Sequence, residues 1–176
     1  KKDGQSRLCI DFRDLNKLIR PLSFDLPLIQ DILNTLEGKK IFSICDAKSS
    51  YHSILISEDT RHFTAFQPNG CQKYQWRVMP FGLGVSSAAF LKLMHLTLGE
   101  LMYDRCVFYA DDVLIPSIDA DRHAEDLEIV LEKLNKRGIK LNPDKCEFGK
   151  SEILFLGYRV GKEGIPPNPD KVAVIK

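Results

Sequence analysis

The chain has 176 residues, of which 44% are hydrophobic and 28% charged, and its net charge is +1. That is the make-up of one ordinary globular unit large enough to bury a core, and it excludes an intrinsically disordered segment, which carries too little apolar surface to offset its ordering entropy. The apolar runs, Val113-Leu114-Ile115 among them, are far shorter than the ~20 residues that span a bilayer, so no membrane insertion is expected.

The sequence opens on Lys1-Lys2-Asp3-Gly4, with neither an initiator Met nor a signal-peptide pattern, and reads as a piece of a longer protein. Cys9, Cys45, Cys71, Cys106 and Cys146 are odd in number and scattered without a C-x-x-C pair, which points to reduced, intracellular thiols rather than zinc or a redox couple. Cys9, Cys45 and Cys106 lie in apolar runs and are expected to be small buried hydrophobes. The near-neutral total hides a basic N-terminal segment, where Lys1, Lys2, Arg7, Arg13, Lys17 and Arg20 face only Asp3, Asp11 and Asp14.

In chain order, Leu8 to Phe12 reads as a strand. Pro27 to Leu36 reads as a helix with Ile29, Ile32, Leu33 and Leu36 on one stripe, Pro27 in its first turn and Gly38 at its close. Ile41 to Cys45 is apolar enough for a buried strand that delivers Asp46 at its end. His62 to Phe66 and Lys73 to Met79 flank Pro68-Asn69-Gly70, the signal of a hairpin with a slightly long loop. Ser86 to about Met102 has good helix formers and apolar residues on nearly all sides, which predicts a buried helix.

Cys106 to Tyr109 and Val113 to Ile115 are short apolar strands separated only by Ala110-Asp111-Asp112, so a tight hairpin with the acidic pair at its tip is the natural geometry. Asp121 to Arg137 follows as an amphipathic surface helix, with Ala124, Leu127, Val130, Leu131 and Leu134 on one face, a Glu132–Lys136 pair and Gly138 at its end. Strands are expected at Lys145 to Phe148 and Ile153 to Val160, before Pro166-Pro167-Asn168-Pro169 marks a boundary. Helices and hairpins without regular β-α-β alternation predict an α+β fold with an antiparallel sheet.

Asp46, Asp111 and Asp112 are carboxylates held at the edge of apolar runs. Ionised carboxylates close to apolar surroundings and to each other disfavour their own charge, and a bound cation relieves this. Oxygen-only ligands favour Mg²⁺ or Mn²⁺ over zinc, and a pair of such ions suits phosphoryl transfer. Taken alone, Asp111-Asp112 is also explained by ordinary turn chemistry, and Asp46 by a helix cap or strand end. Spacing leaves open whether the two halves meet.

Several blocks, in order, resemble the reverse transcriptases of LTR retrotransposons, in particular the Ty3/Gypsy type, across essentially the whole chain. They are Lys1-Lys2-Asp3-Gly4 with Arg7 and Asp11-Phe12-Arg13-Asp14-Leu15-Asn16; Phe42 through Asp46 leading to Ser50-Tyr51-His52; Val78-Met79-Pro80-Phe81-Gly82-Leu83; Tyr109-Ala110-Asp111-Asp112; Lys145-Cys146-Glu147-Phe148; and Phe155-Leu156-Gly157-Tyr158. Two departures are Ala110, where a larger apolar residue is more frequent, and Ser86-Ser87-Ala88-Ala89 in place of an Asn-Ala-Pro stretch. Neither removes a ligand.

The resemblance implies a right-hand polymerase fragment with an antiparallel palm sheet backed by helices. Fingers would span 1–21 and 54–85, palm 22–53 and 86–165, and 166–176 would exit towards a thumb that this sequence lacks. It implies Asp46, Asp111 and Asp112 as catalytic carboxylates binding two Mg²⁺ ions, with Mn²⁺ a possible substitute, and the Ala47 carbonyl as a further ligand. Lys1, Lys2 and Arg7 would grip the triphosphate, a fitting task for cations facing phosphate charge. Tyr51 would sit under the sugar and exclude a 2′-hydroxyl, the group that tells RNA from DNA, with Ala47, Phe81 and Gly82 also lining the nucleotide. Arg13, Tyr109, Leu156 and Gly157 would contact template and primer.

The implied partners are an RNA or DNA template with its primer, deoxynucleoside triphosphates and the rest of a Pol polyprotein, in a cytoplasmic retrotransposon particle. A decayed or domesticated copy acting as a binding module would be marked by a damaged acidic site, whereas all three Asp are present. A generic metal-dependent phosphotransferase would account for the carboxylates but not for the N-terminal blocks or Tyr51.

Overall fold

In the computed structural model of the chain, residues 9–166 are described. The expectations for Lys1, Lys2, Arg7 and Leu8, and for Pro167 and beyond, lie outside that range. The elements in chain order are α1 Arg13–Leu18, α2 Ile29–Thr35, β1 Ile41–Asp46, α3 Ser86–Leu98, β2 Val107–Tyr109, β3 Asp112–Ser117, α4 Ala120–Lys136, β4 Glu147–Lys150, β5 Glu152–Phe155 and β6 Tyr158–Gly161, with short 3-10 turns between. No described helix is long and apolar enough to cross a membrane.

The chain divides into two compact units, where bulk composition suggested one. The first combines the segment ending at Asp25 with Ser49–Leu93, and the second combines Leu26–Lys48 with the chain from Met94 onward. Composition cannot register such interleaving, because each unit takes two separate stretches of chain.

The second unit is built on a four-stranded antiparallel sheet in the order β2-β3-β1-β4, with β5 and β6 as a separate two-stranded ribbon. One face carries a core of Ile32, Leu33 and Leu36 from the α2 segment, Phe42, Val107 and Leu114 from the sheet, and Ile153, Phe155 and Val160 from the ribbon. This is the stripe expected from the spacing of α2, although Ile29 is exposed, Leu28 is the N-cap and Pro27 precedes the helix. Full burial of each such aliphatic side chain contributes roughly 1.5–3 kcal/mol, more than the weak intrinsic helicity of seven residues could supply.

On the opposite face lies α4, capped by Asp119, whose side chain accepts from the Arg122 amide at 2.9 Å. Its buried positions are His123, Asp126, Val130 and Leu134, while Ala124, expected on the inner face, is exposed. An apolar-only reading missed that two polar residues occupy the inner stripe. The Glu132–Lys136 pair forms at 3.4 Å, and Gly138 ends the helix at φ 69°, a conformation open to glycine.

Several expectations are corrected. Cys9 to Phe12 form no strand but lead into α1, and Cys9 is exposed, whereas Cys45 and Cys106 are buried as expected. The hairpin around Asn69-Gly70 shrinks to a single bridge, Phe66 to Tyr74, closed by two 2.9 Å backbone bonds, because His62 to Thr64 belong to a 3-10 turn, Glu58–Thr64. The helix from Ser86 stops at Leu98 and exposes Ser87, Lys92, His95 and Leu96, so it is not buried all round. Ile153 to Val160 is two strands, broken by Leu156 at φ 52° and Gly157 at φ 83°, a two-residue turn whose paired positive φ values match the right-handed twist of the flanking strands.

Candidate functional site: an acidic strand end and hairpin

The β1–β3 register places Asp46 directly opposite Asp112 and Cys45 opposite Val113. The β2–β3 hairpin pairs Tyr109 with Asp112, so the turn itself is Ala110-Asp111, with Ala110 at φ 52°. Asp112 is therefore the first strand residue rather than part of the loop. The join is tightened by backbone bonds: the Ala47 amide donates to the Asp111 carbonyl at 3.0 Å, and the Asn142 amide donates to the Asp46 carbonyl at 2.9 Å. The two acidic stretches thus meet on adjacent antiparallel strands within one unit.

Their electrostatics follow from this placement. Burial first, and then the neighbouring charges of Asp46 and Asp111, push the Asp112 carboxyl above its ordinary range, with Lys145 partly offsetting them. Lys145, in the 3-10 turn Pro143–Lys145, donates to Asp46 Oδ2 at 3.1 Å. That bond and the Asp46 charge raise the Lys145 ammonium above its usual value. Among the described residues, no three His, Cys, Asp or Glu side chains are already gathered in a metal-holding cluster. The donor set nonetheless suits a hard divalent cation, since it is oxygen-only and strained by its own negative charge.

In the other unit, Tyr51 sits in the 3-10 turn Ser50–Ser53, entered through Ser49 at φ 50°. Its hydroxyl is 2.9 Å from Ser87 Oγ, and its ring lies 5.3 Å from that of Phe81 and 6.4 Å from that of Phe90. Gly82 has φ 97°, and a Cβ there would meet the Ile10 carbonyl at 3.4 Å. Asn16 clamps this loop: its amide nitrogen donates to the Gly82 carbonyl at 2.9 Å and its oxygen accepts from the Gly84 amide at 2.8 Å. Arg13 is turned onto Asp11 through Nε at 3.0 Å and Nη2 at 2.6 Å, and these bonds hold the Asp11 carboxyl down at about 2. Of the other anticipated contacts, Tyr109 and Leu156 pack against the core of the second unit, and Gly157 completes the β5–β6 turn.

Sequence reasoning assigned no role to Asn16 or Lys145, although both stand inside quoted blocks. The signal available was weak: a polar residue beside a glycine loop and a lysine within reach of an acidic strand end only in three dimensions.

An α+β chain with an antiparallel sheet of this kind has the fold of retroviral reverse transcriptase fingers and palm. The foamy viral protease–reverse transcriptase dRH in complex with double-stranded DNA superposes with a TM-score of 0.88 at 26% identity, over 100% of this chain and 31% of that one. A foamy viral protease–reverse transcriptase in complex with an RNA/DNA hybrid gives a TM-score of 0.80 at 25% identity, over 94% of this chain and 23% of that one. The family profile described as reverse transcriptase (RNA-dependent DNA polymerase) matches residues 1–160, and the chain belongs to that family. The Tf2-3 and Tf2-4 transposon polyproteins of Schizosaccharomyces pombe are each 36% identical over 176 residues, 98% of this chain but 13% of each polyprotein. The Ty3/Gypsy-like affinity read from the sequence blocks agrees with these relatives.

Proposed function

We propose that this chain is the catalytic part of an RNA-directed DNA polymerase, adding deoxynucleotides to a primer 3′-hydroxyl on an RNA or DNA template with release of pyrophosphate. The observation that carries the proposal is the β1–β3 pairing, which sets Asp46 against the Asp111-Asp112 hairpin in a chain of this family. Asp46, Asp111 and Asp112 would hold two Mg²⁺ ions, with the Ala47 carbonyl as a backbone ligand. The ions would acidify the primer hydroxyl and stabilise the charge of the leaving phosphate. The chain's own residues then hold the reactants: Lys1, Lys2 and Arg7 on the triphosphate, Tyr51, Phe81 and Gly82 about the nucleotide, and Arg13, Tyr109, Leu156 and Gly157 along template and primer.

Residues 1–21 and 54–85 would serve as fingers and 22–53 and 86–165 as palm, with 166–176 leading to a thumb elsewhere in a Pol polyprotein. The clamp of Asn16 on the Gly82 loop supports a rigid nucleotide-facing surface there. Tyr51, hydrogen-bonded to Ser87 and packed at a tilt against Phe81, is suited to meeting a ribose 2′-hydroxyl with a firmly held ring.

The test is primer extension on an RNA template by the full-length parent protein with Mg²⁺. Asp111→Asn should lower the rate by about a hundredfold to a thousandfold, the scale of losing one charge-stabilising group; undiminished extension refutes the mechanism. Tyr51→Ala should admit ribonucleotides more readily, and unchanged sugar selectivity refutes that role.

A further inference from the structure

The second unit contains a buried polar chain that has no part in the acidic site itself. Ser43, Ser117, His123 and Asp126 are all buried, with exposures of 0%, 1%, 6% and 1%. The His123 ring bridges two strands: Nδ1 lies 3.1 Å from Ser117 Oγ on β3 and Nε2 lies 2.7 Å from Ser43 Oγ on β1. Ser117 Oγ in turn donates to Asp126 Oδ2 at 3.1 Å, and Ser43 Oγ accepts from the Gly149 amide at 3.0 Å.

Proton counting fixes the direction of each bond. An ionised Asp126 only accepts, so the single Ser117 proton goes to it and Ser117 must accept from His123 Nδ1–H. A neutral imidazole then presents Nε2 as an acceptor, and the single Ser43 proton goes there, which leaves Ser43 Oγ free to accept from Gly149 N–H. Burial pushes the His123 pKa below its ordinary value, as this neutral tautomer requires. Every donor in the relay has one acceptor.

Gly149 is where the relay touches the sheet. Phe42 pairs with Lys150 and Ile44 with Glu147, so two residues of β4, Phe148 and Gly149, stand opposite Ser43 alone. This is a β-bulge with glycine at φ 61°, and its amide is satisfied by the Ser43 side chain. Four residues upstream of the bulge is Lys145, the ion-pair partner of Asp46. On the upstream side of Lys145 the chain is held by the Asn142 amide on the Asp46 carbonyl. Lys145 therefore lies between the Asn142 anchor and β4, which is held by the Ile44–Glu147 pairing and by the bulge that Ser43 and His123 secure.

We propose that His123 is a positioning residue: through Ser43 it pins the β4 bulge at Gly149 and so sets Lys145 against Asp46 at the edge of the acidic site. The value of this for metal-dependent chemistry rests on the function proposed above, but the strut itself can be tested apart from activity. Ser43 precedes Asp46 by three residues on the same strand, so the relay braces both partners of the ion pair.

The experiment uses the full-length parent protein with His123→Gln, whose amide can replace Nε2, His123→Asn, whose amide can replace only Nδ1, and Ser43→Ala. Hydrogen exchange at the Gly149 amide and the acylation rate of the Lys145 amine, both read by mass spectrometry, report the strut. His123→Asn and Ser43→Ala should each raise both rates about fivefold to tenfold, the scale of one lost hydrogen bond, and His123→Gln should stay close to wild type. Equal behaviour of the Gln and Asn variants, or a Ser43→Ala protein with unchanged rates, overturns the proposal. If His123→Asn does not fold, Ser43→Ala decides. In primer extension, His123→Asn should lower the Mg²⁺ requirement, because an ammonium held on Asp46 competes with the ion for that carboxylate, and that decrease should vanish in a Lys145→Met background; an additive effect overturns the link to Lys145. A wild-type protein that extends no primer refutes the polymerase reading and leaves the exchange and acylation results to judge the strut.

Discussion

Replacing Asp126 by Ala should destabilise the protein by about 3 kcal/mol, near the low end of the range for breaking a buried ion pair from one side. Asp126 is 1% exposed and accepts from Arg105 Nη1 at 2.7 Å and from Arg122 Nε and Ser117 Oγ at 3.1 Å each. Its removal takes one carboxylate partner from each of two guanidinium groups and the acceptor from one serine hydroxyl. The loss is held near the lower bound because Arg105 keeps Glu125 at 2.8 Å and Arg122 keeps Asp104 at 3.5 Å, both on the wetter side of the cluster. For a chain of this length, the melting temperature should fall by roughly 6–12 °C, at about 2–4 °C per kcal/mol. Thermal and urea unfolding followed by circular dichroism give the number, with Glu128→Ala on the exposed side of the same helix as the control. That control should stay within about 0.5 kcal/mol of wild type. A deficit for Asp126→Ala below about 1 kcal/mol, or one equal to that of Glu128→Ala, would mean that Val130 and Leu134 hold α4 by apolar packing alone and that the reasoning from the buried charge is wrong.

Two further outcomes follow from the charges. Because the native state depresses the His123 pKa from its ordinary 6.5, it binds fewer protons than the unfolded chain just below that pH, so stability should fall as the pH drops through 6.5 towards the lowered value. His123→Gln should remove that part of the slope in urea titrations between pH 7.5 and 5, and an identical slope would show that the relay does not require a neutral ring. Mg²⁺ should raise the melting temperature by binding only the folded acid site, by about 2.7 kcal/mol of stabilisation at a hundredfold excess over Kd. Chelation should reverse the shift and Asp112→Asn should blunt it; a shift of equal size in Asp112→Asn would place the ion elsewhere.

What could be read from the sequence depended on whether the governing contact was local. Ile41 to Asp46 and Val113 to Ile115 were legible because continuous apolar runs force burial whichever partner covers them. Ile32, Leu33 and Leu36 were legible from helical spacing. The strand anticipated at Leu8 to Phe12 failed over its described residues because Phe12 is buried without a ladder as the backbone turns into α1, while Cys9 is left exposed. The Asn69-Gly70 hairpin largely failed because a 3-10 turn claimed the residues that one arm needed. In the same way, Ile153 to Val160 looked like one strand because Leu156 is apolar, and only its positive φ shows that the chain reverses there.

The acidic site shows the same limit more sharply. Asp46, Asp111 and Asp112 could be named from their neighbours and from the family blocks, but the register that joins them could not. Strand β1 buries Phe42 on the face covered by α2 and the β5–β6 ribbon, and Ser43 on the face beneath α4. A strand covered on both faces has no apolar-polar alternation to choose its register, and a one-residue slip would exchange the faces. The selection comes instead from groups that tolerate one partner only. A slip would carry Ser43 away from His123 and Gly149, leave the buried Ser43 hydroxyl and His123 ring without each other, and take Asp46 out of line with Asp112. The serine that looks like an interruption in an apolar run is thus what makes the register of the carboxylates unique, and its partners, eighty and more residues away, are invisible until the chain is folded.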